Sequence, residues 1–254
     1  MRELTVKVGR VAASATLVCV FALAAQTDAR AELKKATIEL FTSQGCSSCP
    51  PADKLIGELG RDPSLVTMSL AVDLWDYLGW KDTLALKGHT RRQKAYAQVR
   101  GDREVYTPQV VVNGVMHVAG GDRAAIDRAI EMTRRDSATM QLPIKLNISG
   151  DKLTVDVPAA SAAAHGPAEV WLVPITRKIP VAIERGENRG HTITYNNVVR
   201  RWVKLGDWNG SAESYNLTIK DFQNGEIDSL AVMIQSGNNG SPGAMLGAAT
   251  IALQ

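Results

Sequence analysis

The chain has 254 residues, of which 45% are apolar and 22% are charged. This is enough for one large hydrophobic core or two ordinary ones, and the well-mixed charges argue against long disordered stretches. The net charge is +3, and no run of Lys and Arg alternates with aromatic residues, so the composition gives no support to nucleic-acid binding.

The first residues have the three-part layout of a secretory signal peptide. Arg2, Lys7 and Arg10 precede the apolar stretch VAASATLVCVFALAA, and small residues follow it. Because that stretch is short for a membrane span, an uncleaved anchor is the less favoured alternative. We predict a signal peptide over residues 1–31, no membrane span after its removal, and a periplasmic or secreted protein.

After removal of the signal peptide the chain has two cysteines, Cys46 and Cys49, because Cys19 lies within the signal. A disulfide between them closes a loop of only four residues, which restrains the unfolded chain little. The pair is therefore predicted to serve reactivity rather than stability.

Strand and helix patterns alternate after residue 31. A buried strand is predicted at 35–42, and Pro50 suits the first turn of the following helix, where its missing N–H has no partner to lose. A strand at 64–73, a basic helix, a hairpin at Asn113-Gly114 and a helix capped by Asp122 follow. This order predicts a compact α/β domain over residues 33–137, with the cysteines where a strand meets a helix.

Residues 141–254 have no convincing helical period. Short alternating runs such as KLTVDV, EVWLVPI and LAVMIQ are separated by Gly, Asn, Asp and Pro. Several short strands at this spacing predict a second domain, an antiparallel β-sandwich-like domain over 141–254.

The position of the cysteines suits thiol–disulfide exchange. Cys46 is predicted just ahead of a helix, where unpaired N–H groups and the helix dipole stabilise a thiolate and lower the thiol pKa. Cys49 is then placed to resolve a mixed disulfide formed at Cys46.

The stretch around CSSC together with the later YTPQVVVNG resembles the thioredoxin superfamily. The resemblance implies that the Thr107-Pro108 bond is cis, that Pro108 faces the dithiol, and that Thr107 pairs with an extended substrate strand. The chain lacks a Trp before Cys46 and has Ser47-Ser48 between the cysteines, so the redox direction stays open.

The stretch AGGDR is similar to the turn with which glutaredoxins hold the γ-glutamyl end of glutathione. The matching residues are Gly120, Gly121 and Asp122. A tight turn followed by a helix N-cap is the alternative interpretation, and we prefer it.

Four motifs tighten the resemblance: FTSQGCSSCPPAD, DLWDYLGWKD, VYTPQVVVNG and ERGENRGHTITYNNVVR. Together they resemble an uncharacterised family, a domain of unknown function, of exported bacterial thioredoxin-like proteins. The resemblance spans nearly the whole mature chain and implies an α/β thioredoxin-like fold and export, but no established reaction.

Other roles are open to the same residues. The two cysteines could hold Cu(I), since soft thiolates favour it, whereas zinc would need two more ligands and only His117 is placed near them. Trp75, Tyr77 and Trp80 could form an apolar platform for a substrate peptide, and a nearby carboxylate, Asp73, Asp76 or Asp82, could relay protons. More often such residues simply cover the core, and we prefer that interpretation.

We therefore predict an exported thiol–disulfide oxidoreductase without cofactor or metal. Its partners would be exported protein thiols or disulfides, or a low-molecular thiol, and no nucleic acid. The alternative is a non-catalytic binding module, or a copper-binding protein, whose β domain mediates the interaction.

Overall fold

A computed structural model describes residues 33–135, 138–161, 166–222 and 225–253. The predicted signal peptide lies outside these residues. The described part of the chain contains the α-helices α1 (Pro50–Leu59), α2 (Lys87–Arg100) and α3 (Arg123–Arg134). Its strands are β1 (Ala36–Thr42), β2 (Leu65–Ala71), β3 (Gln109–Val112), β4 (Met116–Ala119), β5 (Lys145–Ser149), β6 (Lys152–Val157), β7 (Ala168–Ala182), β8 (Thr192–Val199), β9 (Val203–Trp208), β10 (Glu213–Thr218), β11 (Ser229–Asn238) and β12 (Ser241–Ala252).

Strands from both parts of the chain form one mixed sheet of nine strands in the described residues. Their order is β12-β11-β7-β8-β2-β1-β3-β4, and β9 also pairs with β7. A smaller sheet of three strands has the order β10-β6-β5.

The predicted fold class is therefore wrong. We expected an α/β thioredoxin-like domain followed by an antiparallel β-sandwich-like domain, whereas five strands of 141–254 (β7, β8, β9, β11 and β12) belong to the same sheet as β1–β4. An unpaired strand edge exposes backbone N–H and C=O groups, and here β8 covers the edge of β2. The boundaries at 33–137 and 141–254 stay a prediction.

The junction between β2 and β8 is held by side chains as well as by pairing. Ser69 donates its hydroxyl to the main-chain oxygen of Asn196 across 2.6 Å, and the Asn197 amide donates to the Thr67 hydroxyl, also across 2.6 Å. Gly57 makes room on α1, since a Cβ there would lie 2.6 Å from the Asn196 side chain.

The hydrophobic core is shared across the same junction. Phe41 of β1 and Met68 of β2 belong to one buried cluster with Val173 of β7, Met233 of β11 and Met245 of β12. Every residue of β1 is buried, the polar Thr37, Glu39 and Thr42 included, which fits its central place in the sheet.

A buried ion pair adds a second link between the two parts. Arg92 of α2 donates from Nε to the Glu39 carboxylate across 2.6 Å, and Nη2 donates to Gln235 of β11 across 2.8 Å. The Tyr96 hydroxyl donates to Glu39 and receives a hydrogen bond from Arg92. Buried charges of this kind are tolerated only when paired, so α2, β1 and β11 are fixed relative to one another.

Candidate functional site: the disulfide at the start of α1

Cys46 and Cys49 form a disulfide at the entrance to α1. Cys49 is the N-cap residue of the helix, and its main-chain oxygen accepts from the N–H groups of Ala52 and Asp53. Pro50 and Pro51 fill the first two helical positions, where the absent N–H groups cost no helical bond. The positive end of the helix dipole therefore lies at the pair, an environment that stabilises a thiolate once the bond is reduced.

Both cysteines are buried. Cys46 is 3% exposed and Cys49 is fully buried, while Ser47 and Ser48 between them are exposed. The Sγ atom of Cys46 lies 3.4 Å from the hydroxyl of Ser48. A partner therefore reaches the sulfurs only after some neighbouring group moves.

The Thr107–Pro108 peptide bond is cis. Trp75 connects it to the cysteine loop, because its indole Nε1 donates to the Thr107 hydroxyl across 2.7 Å and its Cβ packs closely on Gly45. Gly120 donates its N–H to the main-chain oxygen of Pro108 across 2.9 Å. The predicted Thr107 and Pro108 are thus brought into contact with the residues around the dithiol.

The three residues of the predicted glutathione-like turn have separate environments. A Cβ on Gly120 would lie 2.9 Å from Pro108 Cβ and 3.2 Å from Ala52 Cβ, so this glycine fills a tight space between the cis proline and α1. A Cβ on Gly121 would have no atom within 4 Å apart from its chain neighbours. The Asp122 carboxylate accepts from the N–H of Ala125 across 2.9 Å as the N-cap of α3, so it already has a structural role.

The aromatic insertion lies against the same site. The rings of Trp75 and Tyr77 are 6.2 Å apart, and Tyr77 is 75% exposed. Trp80 donates from Nε1 to the side chain of Gln44 across 2.8 Å. Trp75 and Trp80 therefore support the cysteine loop, and Tyr77 offers an exposed ring.

A loop from the second half of the chain covers the dithiol. This covering loop, residues 183–191, joins β7 to β8. The Asn188 amide donates to the main-chain oxygens of Gln44 and Cys46, each across 2.9 Å, and the Glu187 carboxylate accepts from the N–H of Ser47 across 3.3 Å. This loop therefore lies directly against the cysteine loop, although at least 140 positions separate the bonded residues in the sequence.

Two buried carboxyl groups lie behind the cysteine loop. Asp53, one turn after Cys49, accepts from the Thr42 hydroxyl across 2.7 Å, and burial, together with the nearby charge of Asp82, raises its pKa to about 7. Asp82 accepts from the N–H of Gln44 across 2.7 Å, and burial raises its pKa to about 6. Both groups can therefore exchange a proton near neutral pH.

Asp53 was missed by the sequence analysis. The signal that was available is its spacing, because a residue four positions after Cys49 lies on the same face of the helix. Its Oδ2 atom has no hydrogen-bond partner among the described residues, and neither has the hydroxyl of the buried Tyr195, a residue of β8. Burial and the charge of Asp53 raise the pKa of Tyr195, so this phenol stays protonated.

His117, weighed as a metal ligand, is occupied by its own neighbours. Its Nδ1 lies 3.0 Å from the Tyr106 hydroxyl, and its Nε2 lies 3.2 Å from the Asp102 carboxylate. Within the described ranges, no three His, Cys, Asp or Glu side chains are grouped so as to hold a metal ion. No helix in that part of the chain is long and apolar enough to cross a membrane.

The fold and the site define a mixed-sheet protein with a buried CxxC disulfide at the start of a helix. The chain belongs to a family of proteins of unknown function, DUF1223, which it matches over residues 37–235. A crystal structure of a protein from Agrobacterium tumefaciens is 33% identical, with a TM-score of 0.77 over 87% of this chain and 95% of that chain.

Two further structures are only distantly similar. A hypothetical protein from Pyrococcus horikoshii is 12% identical, covering 47% of this chain and 90% of that chain with a TM-score of 0.23. A superoxide reductase is also 12% identical, covering 45% and 87% with a TM-score of 0.22. Both TM-scores are too low to indicate a shared fold. No curated protein matches the chain.

Proposed function

We propose that this protein is an exported thiol–disulfide oxidoreductase that acts on protein thiols or disulfides, or on a low-molecular thiol, in the periplasm or outside the cell. The observation that carries the proposal is the Cys46–Cys49 disulfide at the N-terminus of α1, joined through Trp75 to the cis Thr107–Pro108 bond. The order of strand, dithiol, helix and cis proline along this segment also supports a local relationship to thioredoxin-like proteins.

In the oxidising direction, a substrate thiolate attacks Sγ of Cys46, and the sulfur of Cys49 leaves as a thiolate. A second substrate thiolate then attacks the substrate sulfur of the mixed disulfide and releases Cys46 as a thiolate. The substrate gains a disulfide, and the protein gains the two electrons as its reduced dithiol. In the reducing direction the same steps run backwards.

Two features of the site favour this chemistry. The helix dipole stabilises the thiolates that form when the disulfide opens. Asp53, with its pKa raised to about 7 and its place one turn after Cys49, is a proton donor or acceptor inside the buried site. The exposed ring of Tyr77 offers a surface for an apolar side chain of a polypeptide substrate.

One observation favours a second candidate, a binding protein with an inert disulfide. Both cysteines are buried, and Asn188 of the covering loop donates a hydrogen bond to the main-chain oxygen of Cys46. If that loop never opens, no partner reaches the sulfurs, and the pair serves only to fix the start of α1.

Alkylation of the reduced protein distinguishes the two functions. The rate of reaction of Cys46 with iodoacetamide is measured from pH 4 to 9, with Cys49→Ser to isolate one thiol and Cys46→Ser as the matched control. An exchange catalyst is expected to titrate well below the reference thiol pKa of about 8.5. A Cys46 pKa close to the reference value together with slow alkylation would contradict the oxidoreductase and favour the binding protein with an inert disulfide. Equilibration with a glutathione redox buffer then gives the reduction potential of the pair, and with it the direction in which the protein exchanges disulfides.

A further inference from the structure

A concave surface that shares no residue with the dithiol site is lined by cations. It lies between α2, the segment 200–204 and the turn at 239–240, and its volume is about 900 Å³. The basic residues lining it are Arg91, Arg92, Lys94, Arg200, Arg201 and Lys204. Among the described residues, no acidic side chain lines it.

Half of these cations are already neutralised by a carboxylate. The pairs are Arg92 with Glu39 at 2.6 Å, Lys204 with Glu169 at 2.7 Å and Arg200 with Glu226 at 2.8 Å. They shape the wall of the cavity but leave it little net charge.

The other three carry charge that no carboxylate in the described part of the chain balances by an ion pair. Arg91 and Lys94 are exposed on α2, three residues apart and so on neighbouring positions of the helix surface. Arg201 donates to the main-chain oxygen of Asp221 across 2.7 Å, and its guanidinium lies 5.1 Å from the centre of the Phe222 ring. Three uncompensated positive charges on one concave surface attract an anion with more than one negative group.

The floor of the cavity is rigid. The Arg92 guanidinium lies 4.2 Å from the centre of the Trp202 ring, and Trp171 packs edge-on against Trp202 with the ring centres 6.1 Å apart. Arg92 itself is fixed by Glu39 and Gln235. A floor that is already ordered lowers the entropic cost of binding.

We propose that this basic cavity binds a small organic or inorganic anion with two or more phosphate or carboxylate groups. Its volume is within the range of small-molecule sites, about 300–1,000 Å³. The exposed Arg91 and Lys94 contact the negative groups, Arg201 adds positive charge beside them, and the tryptophan floor contacts the remainder of the ligand.

Titration calorimetry of the full chain at low salt tests the proposal, with tripolyphosphate and citrate as the probes. Binding of either probe supports the site. Comparison of the two affinities shows whether the site prefers phosphate or carboxylate groups. Arg91→Glu is expected to weaken binding at least tenfold. Arg128→Glu on α3 is the control, because it changes the net charge equally at another exposed helical arginine, and it should change the affinity less than twofold.

Two outcomes would overturn the proposal. One is the absence of binding of both probes at millimolar concentration in the folded protein. The other is an equal loss of affinity in Arg91→Glu and Arg128→Glu, which would assign the effect to overall charge. Far-ultraviolet circular dichroism of both variants identifies a loss of folding, and in that case Lys94→Glu, also exposed on α2, replaces Arg91→Glu with the same expectation.

Discussion

The side-chain amide of Asn188 donates a hydrogen bond to the main-chain oxygen of Cys46 across 2.9 Å, although the two residues are 142 positions apart. Asn188 is 6% exposed and makes a second such bond to Gln44. One buried amide therefore holds the covering loop on the cysteine loop, and the accessibility of the disulfide depends on it.

Asn188→Ala removes both hydrogen bonds of this amide, about 2 kcal/mol in all, and is expected to speed reduction of the disulfide by dithiothreitol about thirtyfold. Each lost hydrogen bond contributes about 1 kcal/mol, so the loop should open more often. The rate is measured by quenching the reaction at set times, alkylating the free thiols and determining the reduced fraction by mass spectrometry. Asn238→Ala, which removes one bond in the β11–β12 turn, should leave it unchanged. Equal rates for the two variants and the native protein would show that the covering loop does not limit access.

Gly120→Ala and Gly121→Ala should differ although the residues are adjacent. A Cβ on Gly120 would lie 2.8 Å from Leu40 Cδ1 and 2.9 Å from Pro108 Cβ, whereas a Cβ on Gly121 meets nothing. Overpacking of this kind costs about 1–3 kcal/mol. Urea unfolding should therefore show a loss of unfolding free energy of that size for Gly120→Ala only. Disulfide exchange should also be slower in that variant, because the added Cβ displaces Pro108 beside the dithiol. A loss of similar size in both variants would contradict the tight packing at Pro108.

Asp53 predicts a dependence of stability on pH. Burial raises its folded pKa from 3.8 to about 7, so between these values the folded state holds a proton that the unfolded state has lost. The free energy of unfolding should therefore fall as pH rises from about 4 to about 7, by up to about 1.4 kcal/mol per pH unit. Asp82, with its pKa raised to about 6, adds in the same direction.

Asp53→Asn should remove the share of this slope that belongs to Asp53, because an amide does not titrate and its oxygen can still accept from the Thr42 hydroxyl. Urea unfolding at pH 4.5 and pH 7 measures both slopes. Asp127→Asn, an exposed carboxylate on α3, is the control. Identical slopes in Asp53→Asn and the native protein would mean that this carboxyl is ionised throughout.

Arg92→Met should destabilise the protein by about 3–5 kcal/mol, since it leaves the fully buried Glu39 without its cation. The double variant Arg92→Met/Glu39→Gln also removes the unpaired buried carboxylate, so it should recover part of the lost stability. Chemical unfolding of the two variants measures the difference. A loss of less than about 1 kcal/mol in the single variant would contradict the expected cost of leaving Glu39 without its cation.

Local elements were predictable because their signals are local. The strand at 35–42, the helix from Pro50, the hairpin at Asn113-Gly114 and the N-cap at Asp122 all lie where composition and turn residues placed them. The Thr107–Pro108 bond is cis, as the resemblance implied.

The arrangement of the strands was not predictable in the same way. Alternation along β8 shows that one face is buried, but it does not say that the partner strand is β2. The single register pair is Ser69 with Val198, 129 positions apart, and it depends on Asn196 and Asn197 fitting beside the glycines of α1. Asn188 was not predicted as a site residue for a similar reason, because it lies 142 positions from Cys46 in the sequence.

The pairing of β2 with β8 also sets an order of events during synthesis. A growing chain that has reached only α3 carries β2 with an open edge, and such edges recruit strands from other molecules. That edge closes only after β8 has been made and β7 has brought it into place. Until then the open edge of β2 is free to pair with other chains, so association is most favoured while the chain is incomplete.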